Sequence, residues 1–144
     1  MPPPLIYLSA FAVGVLADLV APSPGLPVWL RILGGCGGVS VLLALDTFAT
    51  LRFRAHKTPF NPARPARSLV VDGPYRFTRN PMYLGMAGAY AGAALASGLL
   101  WPLLFLPAVL GIVDRLIIPR EERHLRELFG EDYERYAERV RRWL

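Results

Sequence analysis

The chain has 144 residues, 53% of them hydrophobic and only 19% charged, whereas a soluble domain carries about 25% charged residues. That length excludes a soluble two-domain enzyme, since about 100–200 residues make one domain. A single cysteine, Cys36, excludes a disulfide framework or thiolate metal cluster, and with only His56 and His124 a histidine metal site is improbable, so no metal is expected.

Four apolar runs follow in chain order, at about 5–21, 28–51, 82–100 and 101–118. A membrane-crossing helix needs about 20 mainly apolar residues, so the first run is marginal and the other three are comfortable. Four such runs leave too little polar surface to cover them in water. Met1-Pro2-Pro3-Pro4 precedes the first run without Lys or Arg, unlike the basic start of a cleaved signal peptide. Ser97-Gly98 and Trp101-Pro102 suggest a turn between the last two runs. Gly34 with Gly38, and Gly88 with Gly92, lie four apart on one helical face, as in close helix packing within lipid.

Segment 52–81 holds seven basic residues and the stretch from Asp114 onward holds eight, leaving only Arg31 elsewhere. With four spans, both basic segments and both termini fall on one side, which the positive-inside rule makes cytoplasmic. The positive balance is thus a topology signal, and nucleic acid is not expected as a partner. Loop 52–81 contains five prolines, among them Pro59, Pro62 and Pro65, which exclude a long helix there. Its end, Ser68-Leu69-Val70-Val71, reads as a short extended piece entering a turn at Asp72-Gly73-Pro74. From 119 to 144 the apolar residues Leu125, Leu128, Phe129, Tyr133, Tyr136, Val140 and Trp143 recur at helical spacing. Gly130 followed by Glu131 marks one helix stopping and another starting. The expected architecture is all-α: a single integral membrane bundle of four transmembrane helices with a cytoplasmic amphipathic tail.

Three groups of polar residues fall on the cytoplasmic side of that topology. Gly73-Pro74-Tyr75-Arg76-Phe77-Thr78-Arg79-Asn80-Pro81-Met82-Tyr83-Leu84-Gly85 sets two arginines, aromatics and an amide before a span. A cation at a helix N-terminus opposes the macrodipole, so Arg79 needs another reason to be there: lipid headgroups or an anionic ligand group. Glu121-Glu122 sits where the fourth run ends, either opening a surface helix or accepting hydrogen bonds from a ligand and serving as a base. Asp46 and Asp114 lie near the ends of their spans, and pairing with a loop arginine is the plainer reading of both.

The first motif, followed after two spans by Glu121-Glu122-Arg123-His124 and the tail through Arg142, resembles the isoprenylcysteine carboxyl methyltransferase and phospholipid methyltransferase superfamily. The resemblance covers Val70 to Arg142. It implies S-adenosylmethionine as methyl donor and a lipid or lipidated acceptor, a prenylcysteine-type carboxylate or a phospholipid amine. Carried over by position, it implies roles for Arg79, Asn80, Pro81, Tyr83 and Gly85, for Glu121 and Glu122, and for Phe129-Gly130, Tyr133 and Tyr136 in the tail. Arg79, Glu121 and Glu122 are the expected catalytic residues. Arg76, Asn80, Pro81, Tyr83, Gly85, both glutamates, Tyr133 and Tyr136 are expected at the cofactor. Asn80 stands where many relatives have histidine, which removes any acid–base role of that imidazole, and the tail ends without the proline common in relatives. Two other readings stand beside this one: a nicotinamide-dependent membrane reductase related to sterol reductases, and a non-catalytic membrane scaffold.

Overall fold

The computed structural model describes residues 2–55 and 69–144, excluding the side chains at 46, 49, 50 and 52–55. The Asp46 carboxylate and prolines 59, 62 and 65 therefore lie outside the described residues. All regular structure among the described residues is helical. The chain forms α1 (Pro3–Val20), α2 (Val28–Ala55), a 3-10 turn (Gly73–Arg76), α3 (Pro81–Ser97) and α4 (Leu100–Ile112). A single π turn (Val113–Ile117) then leads into α5 (Ile118–Phe129), and α6 (Glu131–Arg139) follows.

Proline and glycine set most of the boundaries. α1 and α3 begin with proline in the first turn, where the missing N–H costs nothing. α3 ends at Gly98, whose φ of 77° is the left-handed cap that a residue without Cβ adopts freely. The turn expected near Ser97-Gly98 is thus present, whereas Trp101-Pro102 belongs to the first turn of α4.

α3 packs against α2, α4 and α1, and α1 packs along α4. The α2–α3 contact is backbone on backbone. A Cβ added at Gly38 would stand 2.5 Å from the Cα of Gly92, and one at Gly92 equally near the Cα of Gly38. The small-residue spacing thus serves close packing, which gives helices van der Waals contact where lipid offers no hydrophobic drive. Tyr7, Tyr83, Ala87, Tyr90, Val109, Val113 and Ile118 form the core among α1, α3 and the α4–α5 rod. Outside it, Leu8, Leu16, Leu19, Trp29, Ile32, Leu33 and Leu104 are exposed, an apolar surface far beyond what water tolerates on a monomer. Three helices are long and apolar enough to cross a membrane: Pro3–Val20, the Val28–Leu45 part of α2, and the continuous Leu100–Phe129. The protein is an integral membrane protein; α3, at 17 residues, is one residue shorter than α1.

The boundary expected at 119 is not a break. Helix continues from Leu100 through the π turn to Phe129, so the start of the tail is an extension of the apolar helix that precedes it. Pro119 explains the π turn: it has no N–H to give the preceding turn, and its ring crowds the carbonyl four residues back. The wider turn, with Ile118 N–H bonded to the Val113 carbonyl, absorbs that defect within the helix. The helix ends where expected, at Gly130.

Candidate functional site

The site is built at the end of α3 that starts with Pro81. Leu69–Val71 is non-helical and leads into the 3-10 turn, as the sequence suggests. Val70 and Tyr75 of this stretch pack with Tyr133 and Tyr136 of α6 in a second small core. Across the turn lies the segment Val140–Leu144. The backbone N–H of Arg79 donates to the Arg141 carbonyl at 3.0 Å. Thr78 Oγ1 and Asn80 Nδ2 both donate to the Arg142 carbonyl, at 3.1 and 2.9 Å. The tail thus folds back over the arginine-proline motif.

The two glutamates, adjacent in sequence, face different surroundings. Glu122 is 5% exposed and is held by two arginines. Arg79 Nη1 lies 3.1 Å from its Oε1. Arg142 grips both oxygens, Nε to Oε1 at 3.1 Å and Nη2 to Oε2 at 2.8 Å. A carboxylate this deep is tolerable only when paired and hydrogen-bonded, and here both oxygens are. Glu121 lies on the exposed side of α5, and its Oε1 accepts the Tyr83 hydroxyl at 2.5 Å. Tyr83 is itself anchored, since its backbone carbonyl accepts the Tyr7 hydroxyl at 3.2 Å.

Arg79 joins the halves of the site. Besides Glu122 it donates from Nη1 to the Tyr133 hydroxyl at 3.3 Å. Its Nε is buried and has no hydrogen-bond partner among the described residues. An unpaired buried donor costs about 1–3 kcal/mol, an energy that an incoming acceptor would recover. Tyr133 is fully buried, with the Arg126 guanidinium over its ring at 5.6 Å, so a cation already covers one of its faces. Tyr136 donates its hydroxyl to the Tyr75 carbonyl at 2.8 Å. Burial pushes both tail tyrosines above the ordinary phenol range, Glu122 adding to this at Tyr133 and Tyr133 at Tyr136. Both therefore stay protonated near neutrality.

The remaining expected residues divide. Pro81 and Gly85 are buried and set the entry and packing of α3. The Asn80 side-chain amide is bonded to the Val140–Leu144 segment, a strap across the motif, rather than aimed at open space. Arg76 is exposed and lines an open groove of about 810 Å³ with Phe129, Arg135, Tyr136 and Arg139. Sequence reasoning missed Arg142 and the role of Asp114. Asp114 Oδ1 accepts from Arg142 Nη1 at 3.3 Å and from the Trp143 indole at 2.9 Å, so its partner is a tail arginine and not one from the loop. Two hydrogen-bonded carboxylates lift the Arg142 guanidinium above its usual value, Glu122 contributing most. The signal for this was Pro119, which forces the turn that carries Asp114. No group of three or more metal-ligating side chains occurs among the described residues.

Comparison with known proteins identifies the family. The phospholipid methyltransferase family model matches residues 30–132. A protein of Haemophilus influenzae described as uncharacterized is 46% identical over 33 residues, which are 23% of this chain and 52% of that protein. The chain thus spans about half the length of that relative. No solved structure matches the chain. The chain belongs to the phospholipid methyltransferase family.

Proposed function

We propose that this family member transfers a methyl group from S-adenosylmethionine to a lipid-like acceptor at the cytoplasmic face of a membrane that it crosses four times. In this reading α3 is the additional span, both termini and the α5–α6 tail are cytoplasmic, and the acceptor enters from the bilayer. The observation that carries the proposal is the 3.1 Å contact between Arg79 and Glu122. It joins the motif before α3 to the glutamate pair on α5, two elements 43 positions apart in sequence, in one small space.

The donor fits what these residues offer. A bound aminocarboxylate supplies an acceptor oxygen for the unpaired Arg79 Nε, and exposed Glu121 accepts from an ammonium or a ribose hydroxyl. S-adenosylmethionine supplies a methyl group on a sulfonium, and transfer needs alignment above all. Holding two reactants in near-attack geometry is worth about 7–11 kcal/mol. Tyr83 donates its hydroxyl to Glu121 and so orients that carboxylate towards the donor. Glu122 is neutralised by its arginines, so Glu121 is the carboxylate that takes a proton from an amine acceptor. Asn80, Pro81 and Gly85 support the site by holding the strap and the start of α3, and Arg76 meets the acceptor's anionic portion.

Titration of the detergent-purified protein with S-adenosylmethionine, S-adenosylhomocysteine and NADPH tests this. Binding of the two sulfur ligands and not of NADPH is expected. Binding of neither sulfur ligand at millimolar concentration ends the proposal, and binding of NADPH alone makes the protein a reductase. Replacing both glutamates by Gln should weaken binding of the sulfur ligands.

A further inference from the structure

The Glu122 carboxylate is shared unequally. Arg142 takes Oε2 and also reaches Oε1, in a bidentate fork, while Arg79 touches only Oε1. Arg142 is itself held from the other side by Asp114, and its backbone carbonyl is tied to Thr78 and Asn80. Among the described residues Arg79 is left with a single ion-pair contact, a long bond to Tyr133 and a buried, unpaired Nε. An arginine facing a buried carboxylate with no competitor adopts the bidentate pairing, which satisfies two donors at once.

We propose that Arg142 is a positioning residue for the methyl-donor site: by occupying Glu122 it prevents that carboxylate from capturing Arg79 and so keeps Arg79 available to the ligand. The inference rests on the function proposed above. It deepens that reading, because Arg142 acts through another side chain and touches no reactant itself. The π turn is part of the device. It rotates Asp114 into reach of Arg142, so that the guanidinium is fixed between two carboxylates and cannot follow Glu122 if that side chain swings towards Arg79.

The test measures S-adenosylhomocysteine binding by calorimetry and methyl-transfer kinetics in the full-length protein. Arg142→Gln should weaken binding and raise KM for the donor by about tenfold, the effect of about one lost charge-assisted hydrogen bond. Its kcat should stay within about threefold, since the loss is in binding. In a Glu122→Gln background the neutral amide no longer competes for Arg79, and adding Arg142→Gln should cost less than about a further twofold. Additive losses in that cycle, or unchanged affinity in Arg142→Gln, would overturn the proposal while leaving the methyltransferase reading intact. If the parent protein binds neither sulfur ligand, both fall. Should Arg142→Gln fail to accumulate, Arg142→Lys serves instead. An ammonium holds one oxygen and not two, so a loss of several-fold is expected, and full recovery of affinity would show that charge alone is required and reject the positioning role.

Discussion

The two ends of α3 are both polar, and they differ in what their polar groups have left to do. At the Ser97 end the donors meet nearby acceptors. Ser23 donates to Asp18 through its N–H and its hydroxyl, and Leu100 N–H reaches the Ser23 oxygen. Arg31 Nε meets the Ala96 carbonyl at 3.0 Å, and the Trp101 indole meets the Ala21 carbonyl at 2.7 Å. These contacts tie together the ends of α1, α2, α3 and α4. At the Pro81 end a buried carboxylate is divided between two arginines, a buried donor is unpaired, and an exposed carboxylate waits beside a tyrosine hydroxyl. Unbalanced pairing inside a folded core is costly, and among the described residues it falls at the end where the binding site is proposed.

That contrast can be broken in three places. Glu122→Ala should have the largest effect. It strips Arg79 and Arg142 of the buried carboxylate they share and should destabilise the protein by about 3–5 kcal/mol, read from unfolding in mixed micelles. A loss below 1 kcal/mol would mean that the cluster is wetter than its burial indicates. Gly92→Val comes next: its Cβ meets the Gly38 backbone, which cannot yield as a side chain does, so a cost of about 1–3 kcal/mol is expected. Donor binding per folded molecule should be unchanged, because the clash lies away from the Pro81 end. Asp18→Asn should have the smallest effect, about 0.5–1.5 kcal/mol or less, since the amide keeps one acceptor oxygen for Ser23. A loss of donor affinity in Asp18→Asn would erase the distinction between the two ends.

Most of the helices were legible in the sequence, because length, apolarity and punctuation by Pro and Gly act locally. Gly98 and Gly130 end helices as their positions imply, and the paired glycines of α2 and α3 meet as their spacing implies. The motif before α3 and the glutamate pair were legible as residues of interest, and the structure brings Arg79, Tyr83, Glu121, Glu122 and Tyr133 together. What could not be read was the division of labour between adjacent glutamates. Neighbours on a helix point about 100° apart, and only the packed structure decides which points inward. Arg142 was hidden for a related reason: its partners are 20 and 28 positions away, and one of them depends on a turn of non-standard width. Glu138 stands four residues before Arg142, the spacing of a helical ion pair, yet the guanidinium turns to Glu122 and Asp114 instead.

The unbroken rod from Leu100 to Phe129 has a mechanical consequence. Glu122 stands about 33 Å along it from Leu100, at 1.5 Å per residue, so leaning the rod by 10° carries that carboxylate sideways by about 6 Å. A helix that is longer than its bilayer leans to fit. The thickness of the surrounding lipid is therefore expected to shift the carboxylates at the rod's charged end, and vesicles of graded acyl length are the instrument that would reveal it.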